Sequence, residues 1–389
     1  MASGSIERRP QKDGTVRYRA VVWLPPTATD KPERKTGTFR TKKEAEAARN
    51  EWQAAADNGQ AVPNSALTVE EVCEAWLTMQ RPRVKPGTLE HYEHALNRFV
   101  VPHVGKLAAQ RVRPTTIDAL YAVLREKGAS EQTIHRVHQR LKQVFDYAAK
   151  RRVVAHSPMQ HIDAPTIRPA APTVLTAPHI RRFLAFAAED GYAPLWLLLL
   201  QTGLRRGEAL GVRWQDLDLE RGKLSVRQCV ESLRGLPHMQ TPKTAAARRT
   251  ISLFPESVTA LKAHRTRQLE WRLQAAEWED NDLVFCTDTG KPVAPTNALR
   301  SLKTIQQKAN AKAETDKERD AVLPRFDIHD LRHTHASHLL RDGWDVVRVS
   351  RRLGHANPAI TMGIYAHLIT DERDDAPVTP AALAFTVTA

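Results

Sequence analysis

Four side chains near the carboxy-terminal end of this sequence could act together on a phosphate: His329, Arg332, His355 and Tyr365, within IHDLRHTHASHLL and the later VVRVSRRLGHANPAITMGIYAHL. If Asp327 opens a helix there, His329 and Arg332 stand three positions apart and share a face. Arginine is cationic at any relevant pH, and its planar fork of donors suits phosphate oxygens. Asn357-Pro358 reads as a helix N-cap followed by proline at the first helical position, so Tyr365 should ride a short helix of about three turns. Ile360 and Ile364 are expected to pack that helix down. A phenol with a pKa of about 10 attacks poorly unless cations stabilise its anion or a base takes its proton. The bland alternative is an ordinary half-buried tyrosine. His329, His333, His335 and His338 also offer metal-ligand spacing on a helix. There is no His-Glu-x-x-His and no carboxylate placed to complete a hydrolytic zinc site, so the extra histidines read as surface or packing residues and no metal is expected.

These groups need a frame, and 389 residues suffice for two or three domains. Fifty-eight Lys+Arg against 44 Asp+Glu give a net charge of +14 and a pI near 9.9, which points to a polyanion, nucleic acid before membrane. The start MASGSIERRP lacks the apolar run of a signal peptide, and Ala193–Leu200 is too short to span a bilayer. The expectation is a soluble, cytoplasmic protein with no membrane partner, nucleoid-associated if bacterial. Cys73, Cys229 and Cys286 are widely spaced and read as reduced packing residues.

The fold class expected is α+β and multidomain. Residues 1–60 read as a small three-stranded sheet plus one helix: GSIERR, a turn at Asp13-Gly14, VRYRAVVW, a proline-rich loop, RKTGTF, then a helix opened by Thr41 and Glu44 as a capping box. Val16, Tyr18, Ala20 and Val22 alternate on one face of the second strand, leaving Arg17 and Arg19 on the other. Such a basic face could enter a DNA groove or merely be solvated. Residues 66–165 read as an all-α bundle of four or five helices, with a capping box at Thr68 and Glu71, a break at Pro86-Gly87, and helix starts at Thr115 and Ser130. Its many basic residues, Arg136 and Arg140 among them, suit phosphate contacts. HIDAPTIRPAAPT is a hinge. Residues 173–371 then read as mainly helical around a small antiparallel sheet, with Gly203 stopping the second helix, and 372–389 form a tail.

At TGLRRGEALGVRW the chain resembles the first signature box of the tyrosine recombinase, or phage-type integrase, family. TPKTAAARRTISL resembles that family's β-hairpin lysine segment, HDLRHTHAS its second box, and LGHANPAITMGIYAH its last box with the nucleophile. The boxes span about Val174 to Thr370. The upstream segments resemble the family's helical core-site-binding domain and the arm-site-binding module of larger integrases.

The resemblance implies that Arg205 and Arg332 hold the scissile phosphate, Lys243 is the general acid, and His329 handles the tyrosine proton. It makes His355 a further phosphate donor, Tyr365 the nucleophile and Glu208 a supporting carboxylate. It implies a site-specific recombinase that cleaves and rejoins DNA through a 3′-phosphotyrosyl intermediate to integrate or excise a mobile element, with no cofactor. The partners implied are double-stranded attachment sites and a homotetramer on two duplexes, and the resemblance allows an excisionase and DNA-bending accessory proteins. The tail from Ala381 to Val387 reads either as a frayed terminus or, as the resemblance implies, as a contact with a neighbouring subunit. The alternatives are a type IB-like topoisomerase or a catalytically inactive DNA-binding regulator of the same fold. The charged stretch 313–326 reads as a long loop with no assigned role.

Overall fold

The computed structural model describes residues 3–11, 14–24, 34–57, 67–167, 171–241, 248–317 and 321–365. The chain divides into two compact units, Met1–Pro169 and Ala170–Ala389.

The first unit begins with an antiparallel sheet, β1 (Gly4–Pro10), β2 (Val16–Trp23) and β3 (Arg34–Phe39), in that spatial order. Across it packs α1 (Lys42–Asp57), opened by the expected box: the Glu44 amide donates to Thr41 Oγ1 at 3.2 Å and the Thr41 amide to Glu44 Oε2 at 3.3 Å. Gly37 permits the packing, because a Cβ there would lie 2.7 Å from the Trp52 ring. The alternation expected in β2 holds for the buried Ala20 and Val22 but breaks at Val21, which is also buried, and Val16 and Tyr18 are half-buried. Arg17 lies opposite Arg9 in the register, and Arg19 Nη1 stands 3.9 Å from Glu7 Oε2.

Five helices follow: α2 (Val69–Gln80), α3 (Pro86–Phe99), α4 (Val101–Val104), α5 (Pro114–Glu126) and α6 (Glu131–Lys150). Trp76, Leu96, Ile117, Leu124, Ile134, Leu141 and Phe145 form their core. Thr68 and Glu71 make the predicted reciprocal cap, and Ser130 accepts from the Thr133 amide. Thr115 does not open α5. The helix starts one residue earlier, at Pro114, whose fixed φ suits the first helical position, and Arg113 takes the cap with its amide donating to Thr116 Oγ1 at 3.2 Å.

The second unit is built from α7 (Ala177–Ala187), α8 (Ala193–Thr202) and α9 (Arg206–Leu210), then β4 (Leu217–Asp218), β5 (Lys223–Ser225), β6 (Cys229–Leu233), β7 (Leu236–Gln240) and β8 (Thr250–Ser252). It is completed by α10 (Pro255–Gln274), α11 (Pro295–Thr315), α12 (Ile328–Arg341), α13 (Val346–Leu353) and α14 (Pro358–Tyr365). The strands make an antiparallel sheet of order β4-β5-β8 and a separate β6-β7 hairpin. Helix α8 is apolar on nearly all sides and forms the centre of the core through Leu195, Trp196, Leu198 and Leu199. It ends as predicted at Gly203, in the left-handed region at φ 65°, where a Cβ would come within 2.7 Å of both His335 and Leu353.

Two expectations need correction. The stretch 313–326 is not loop throughout: α11 runs to Thr315 with Ala313 buried, and Asn310 clamps Leu323 by hydrogen bonds of 2.7 and 3.0 Å. Helix α14 turns Ile360 outward, 45% exposed. Its buried stripe is Thr361 and Tyr365, four residues apart, because Thr361 is drawn in by a hydrogen bond to His355. Among the described residues no helix is long and apolar enough to cross a membrane. All three cysteines are free and buried. Burial pushes the Cys73 thiol up to about 12, so it is inert.

Candidate active site

The end of α8, the start of α12 and the end of α13 meet at Gly203. Arg332, on the second turn of α12, is 2% exposed and is gripped by main chain alone among the described residues: Nη1 donates to Gly203 O at 2.8 Å and Nη2 to Leu353 O at 2.7 Å. Burial first, and then the neighbouring Arg205 cation, push its pKa down to about 9. It stays charged at neutral pH, so the site holds positive charge that an anion would relieve.

Arg205 sits immediately after the turn that Gly203 makes and caps α9. Its amide donates to Glu208 Oε2 at 3.0 Å, its Nη1 to Glu208 Oε1 at 2.8 Å, and its Nη2 to Gly354 O at 3.4 Å. The side chain remains 39% exposed, open to a ligand on one side. Glu208 is 5% exposed and is shared with a residue that sequence reasoning missed. Arg249 donates to it from Nη2 at 2.9 Å and Nη1 at 3.3 Å, and donates from Nε to Arg352 O at 2.7 Å. Burial pushes the Glu208 carboxyl up, but the hydrogen bonds and charges of Arg249 and Arg205 outweigh it and hold the group below the usual carboxylate range. Two guanidinium groups thus hold one carboxylate, and the charge of Arg332 acts on the same cluster, leaving an excess of positive charge.

His355 follows Gly354, which ends α13 at φ 69°. Its Nδ1 is 2.7 Å from Thr361 Oγ1. Burial and then Arg332, Arg205 and Arg249 lower its pKa to about 4, so it is neutral at physiological pH and can serve an anion only as a hydrogen-bond donor.

Asp327 caps α12 as expected, accepting from the His329 amide at 2.6 Å and the Asp330 amide at 3.1 Å. His329 is therefore fixed at the helix start, its basicity lowered by burial and then by His333 and Arg332. It is not, however, the hydrogen-bond partner of the tyrosine. Tyr365, 1% exposed, has its hydroxyl 2.6 Å from Nδ1 of His333, and the His329 ring packs edge-on against His333 at 4.8 Å between centroids. Burial raises the phenol's pKa, and the Arg332 charge opposes the rise.

His335 and His338 are packing residues. His335 Nδ1 lies 2.9 Å from Leu200 O with Arg352 Nε donating to its Nε2 at 3.0 Å, and His338 Nε2 lies 2.9 Å from Leu175 O. Lys243 and the tail 372–389 lie outside the described residues. Of the arginines expected to meet DNA, Arg136 is exposed and Arg140 lies over the Tyr92 ring at 4.3 Å from its centroid.

Two expected outcomes follow from this electrostatic arrangement. His335, lowered to about 3, and His355, lowered to about 4, stay neutral in the fold while an unfolded histidine takes a proton near pH 6.5. Stability should therefore decline as pH falls through 6.5 and go on declining toward 4, with depression of Glu208 adding to the loss below about 4.3. A melting temperature unchanged between pH 7.5 and 5 would contradict this. Glu208→Gln removes the charge between two arginines and should cost about 3 kcal/mol in urea unfolding at pH 7. A loss below about 0.5 kcal/mol, the size of a surface pair, would mean that the carboxylate is not what holds Arg205 and Arg249.

With this geometry in view, residues 173–372 match the Phage integrase family and residues 69–164 match the Phage integrase central domain. The chain belongs to the phage integrase family. It is 29% identical over 388 residues to the "Tyrosine recombinase XerC-like" protein of Caldanaerobacter subterraneus subsp. tengcongensis, covering 94% of this chain and 96% of that one. It is 27% identical over 303 residues to the transposase from transposon Tn916 of Enterococcus faecalis, covering 75% and 72%. In fold it is similar to the Tn1549 transposon integrase in complex with circular intermediate DNA, with a TM-score of 0.64 at 22% identity, covering 77% of this chain and 95% of that chain. It is also similar to a lambda integrase dimer bound to a COC′ core site, with a TM-score of 0.57 at 13% identity over 96% and 97%.

Proposed function

We propose that this tyrosine recombinase cuts and rejoins DNA at chosen sites of a mobile element, with Tyr365 as the attacking group. The observation that carries the reading is the joint placement of a buried tyrosine hydroxyl and a cluster of arginines around one turn. The Arg205 and Arg332 forks neutralise the non-bridging oxygens of the scissile phosphate, and His355 donates a further hydrogen bond. These groups stabilise the pentacoordinate transition state, where charge accumulates. As the Tyr365 oxygen bonds to phosphorus, the 5′-oxygen departs and takes a proton from Lys243, leaving a 3′-phosphotyrosyl link. The link keeps the energy of the broken phosphodiester, so a 5′-hydroxyl can reverse the step and join new partners. Glu208 supports Arg205, and His329 lines the tyrosine side of the site.

The domain roles follow the same reading: 1–60 as an arm-type DNA-binding module, 66–165 as the core-site-binding domain, 173–371 as the catalytic domain and 372–389 as a subunit contact. Like charges directly opposite across a strand pair are unfavourable. The Arg9–Arg17 pairing in the amino-terminal sheet, beside Arg19, places three cations around the single carboxylate of Glu7, which bridges Arg9 at 3.1 Å and Arg19 at 3.9 Å, and this excess suits a surface that meets phosphates. Arg136 and Arg140 on α6 would contact the backbone. Breaking four strands with one nucleophile per chain calls for four copies on two duplexes, and excisionase and DNA-bending proteins would set direction. A topoisomerase of the same chemistry is disfavoured by the two amino-terminal segments, which suit chosen sites.

The test is covalent capture of a nicked duplex by the full chain in the presence of chelator and without ATP. An adduct supports the reading, and capture that requires a divalent metal overturns it. Lys243→Ala should lose most cleavage on ordinary DNA but recover in part on a 5′-bridging phosphorothiolate, whose sulfur leaves without a proton. Equal loss on both substrates would remove Lys243 from the role of acid.

A further inference from the structure

Tyr365 must lose its proton as it attacks, and the atom in contact with its hydroxyl is Nδ1 of His333, at 2.6 Å. This distance lies at the short end for a hydroxyl hydrogen bond and within the reach that a general base requires. We propose that His333 is the base that accepts the Tyr365 proton on cleavage and returns it on rejoining, with His329 as a positioning residue behind it. The proposal rests on Tyr365 being the nucleophile.

The local structure supports that division. His329 and His333 stand four residues apart on α12 and share a face, and the His329 ring, edge-on at 4.8 Å, packs against the His333 ring and limits its rotation. Tyr365, on α14, closes against the same side, with its ring 5.7 Å from that of His333. Besides His329 and Tyr365, which touch its ring, the charged groups acting on His333 are Asp330 and Arg332 of α12 and the cap Asp327, with burial the largest influence, and the net effect lowers its pKa. The ring is thus neutral at physiological pH and able to take a proton. In the tautomer the step needs, the hydrogen is on Nε2 and Nδ1 accepts from the phenol.

The step balances. The Oη–P bond forms while P–O5′ breaks, the phenolic proton passes to Nδ1, giving an imidazolium, and O5′ leaves with the proton that Lys243 supplies. In the reverse direction a 5′-hydroxyl gives its proton to the neutral Lys243 amine as it attacks phosphorus, and Oη departs and retrieves its proton from the imidazolium. Arg332, which already acts on the phenol, shares in stabilising the oxygen as it loses its hydrogen.

The experiment uses the full chain and nicked duplexes selected from a randomised pool by covalent capture on the wild-type protein. Single-turnover cleavage is followed between pH 5 and 9. Wild-type cleavage should be full above the His333 pKa and fall as the pH drops through it, because the base must be neutral. His333→Asn keeps a polar atom near the Nδ1 position but cannot take the proton. It should cleave about 10²–10⁴-fold more slowly, bind the duplex and melt like wild type, and lose the plateau and inflection that define the acid limb, its rate rising without a bend across the whole pH range. His329→Asn should keep the limb.

Cleavage by His333→Asn within a few-fold of wild type, or an acid limb that persists in it and vanishes in His329→Asn, overturns the assignment. Should His333→Asn fail to fold, the nitrogen chemical shifts of the wild-type ring decide: a hydrogen on Nε2 supports the proposal, and one on Nδ1 defeats it. Failure of the underlying reading looks different. In that case no duplex is captured at all, or Tyr365→Phe captures DNA as wild type does.

Discussion

Tyr365→Phe is expected to abolish the covalent protein–DNA adduct while leaving duplex binding almost intact and the protein folded. The variant removes one oxygen, and with it the bond to phosphorus and the hydrogen bond to His333 Nδ1. The ring, 1% exposed and packed beside Ala336, Leu339 and Leu353, keeps its place. A buried polar partner left without its hydrogen bond costs about 1–3 kcal/mol, enough to shift the melt but not to unfold the unit. The reacting oxygen itself is removed, so the loss should extend to the detection limit of a denaturing gel. An adduct formed by the Phe variant would remove Tyr365 from the role of nucleophile.

The second large effect concerns the arginines, and the two should behave differently. Arg205→Ala removes a 39% exposed fork and should slow cleavage by about 10²–10³, as loss of one preorganised donor does. Its effect on stability should be modest, because Arg249 still neutralises Glu208. Arg332→Ala should slow cleavage by at least as much and also destabilise the fold, since it leaves the carbonyls of Gly203 and Leu353 without the donors they have now. Single-turnover cleavage and urea unfolding of both variants separate the effects. Arg205→Ala cleaving within tenfold of wild type would show that its guanidinium does not meet the phosphate.

Much of the frame was legible because the signals are local. The caps at Thr41, Thr68, Ser130 and Asp327 act within three residues of themselves, and the left-handed stop at Gly203 needs only its own backbone. What escaped depends on tertiary approach. Arg249 is 41 positions from Glu208 in sequence, so no spacing announces their bridge. Helical periodicity puts His329 and His333 on one face but cannot say which of them α14 will reach. The outward turn of Ile360 has the same origin: an eight-residue helix is oriented by what it docks on, and here the Thr361 hydroxyl outweighs a methyl-rich side chain.

Arg332 is held by two carbonyls, Gly203 O and Leu353 O, and Arg205 touches a third, Gly354 O, besides the Glu208 carboxylate, all beside two glycines with left-handed backbone. A carbonyl survives any exchange of the side chain it belongs to. The aim of these forks is therefore insured against point substitution at Leu353 and exposed instead to anything that alters backbone path. A one-residue insertion between α8 and α9, or a β-branched residue in place of either glycine, would disarm the site while leaving every residue that does chemistry in the chain.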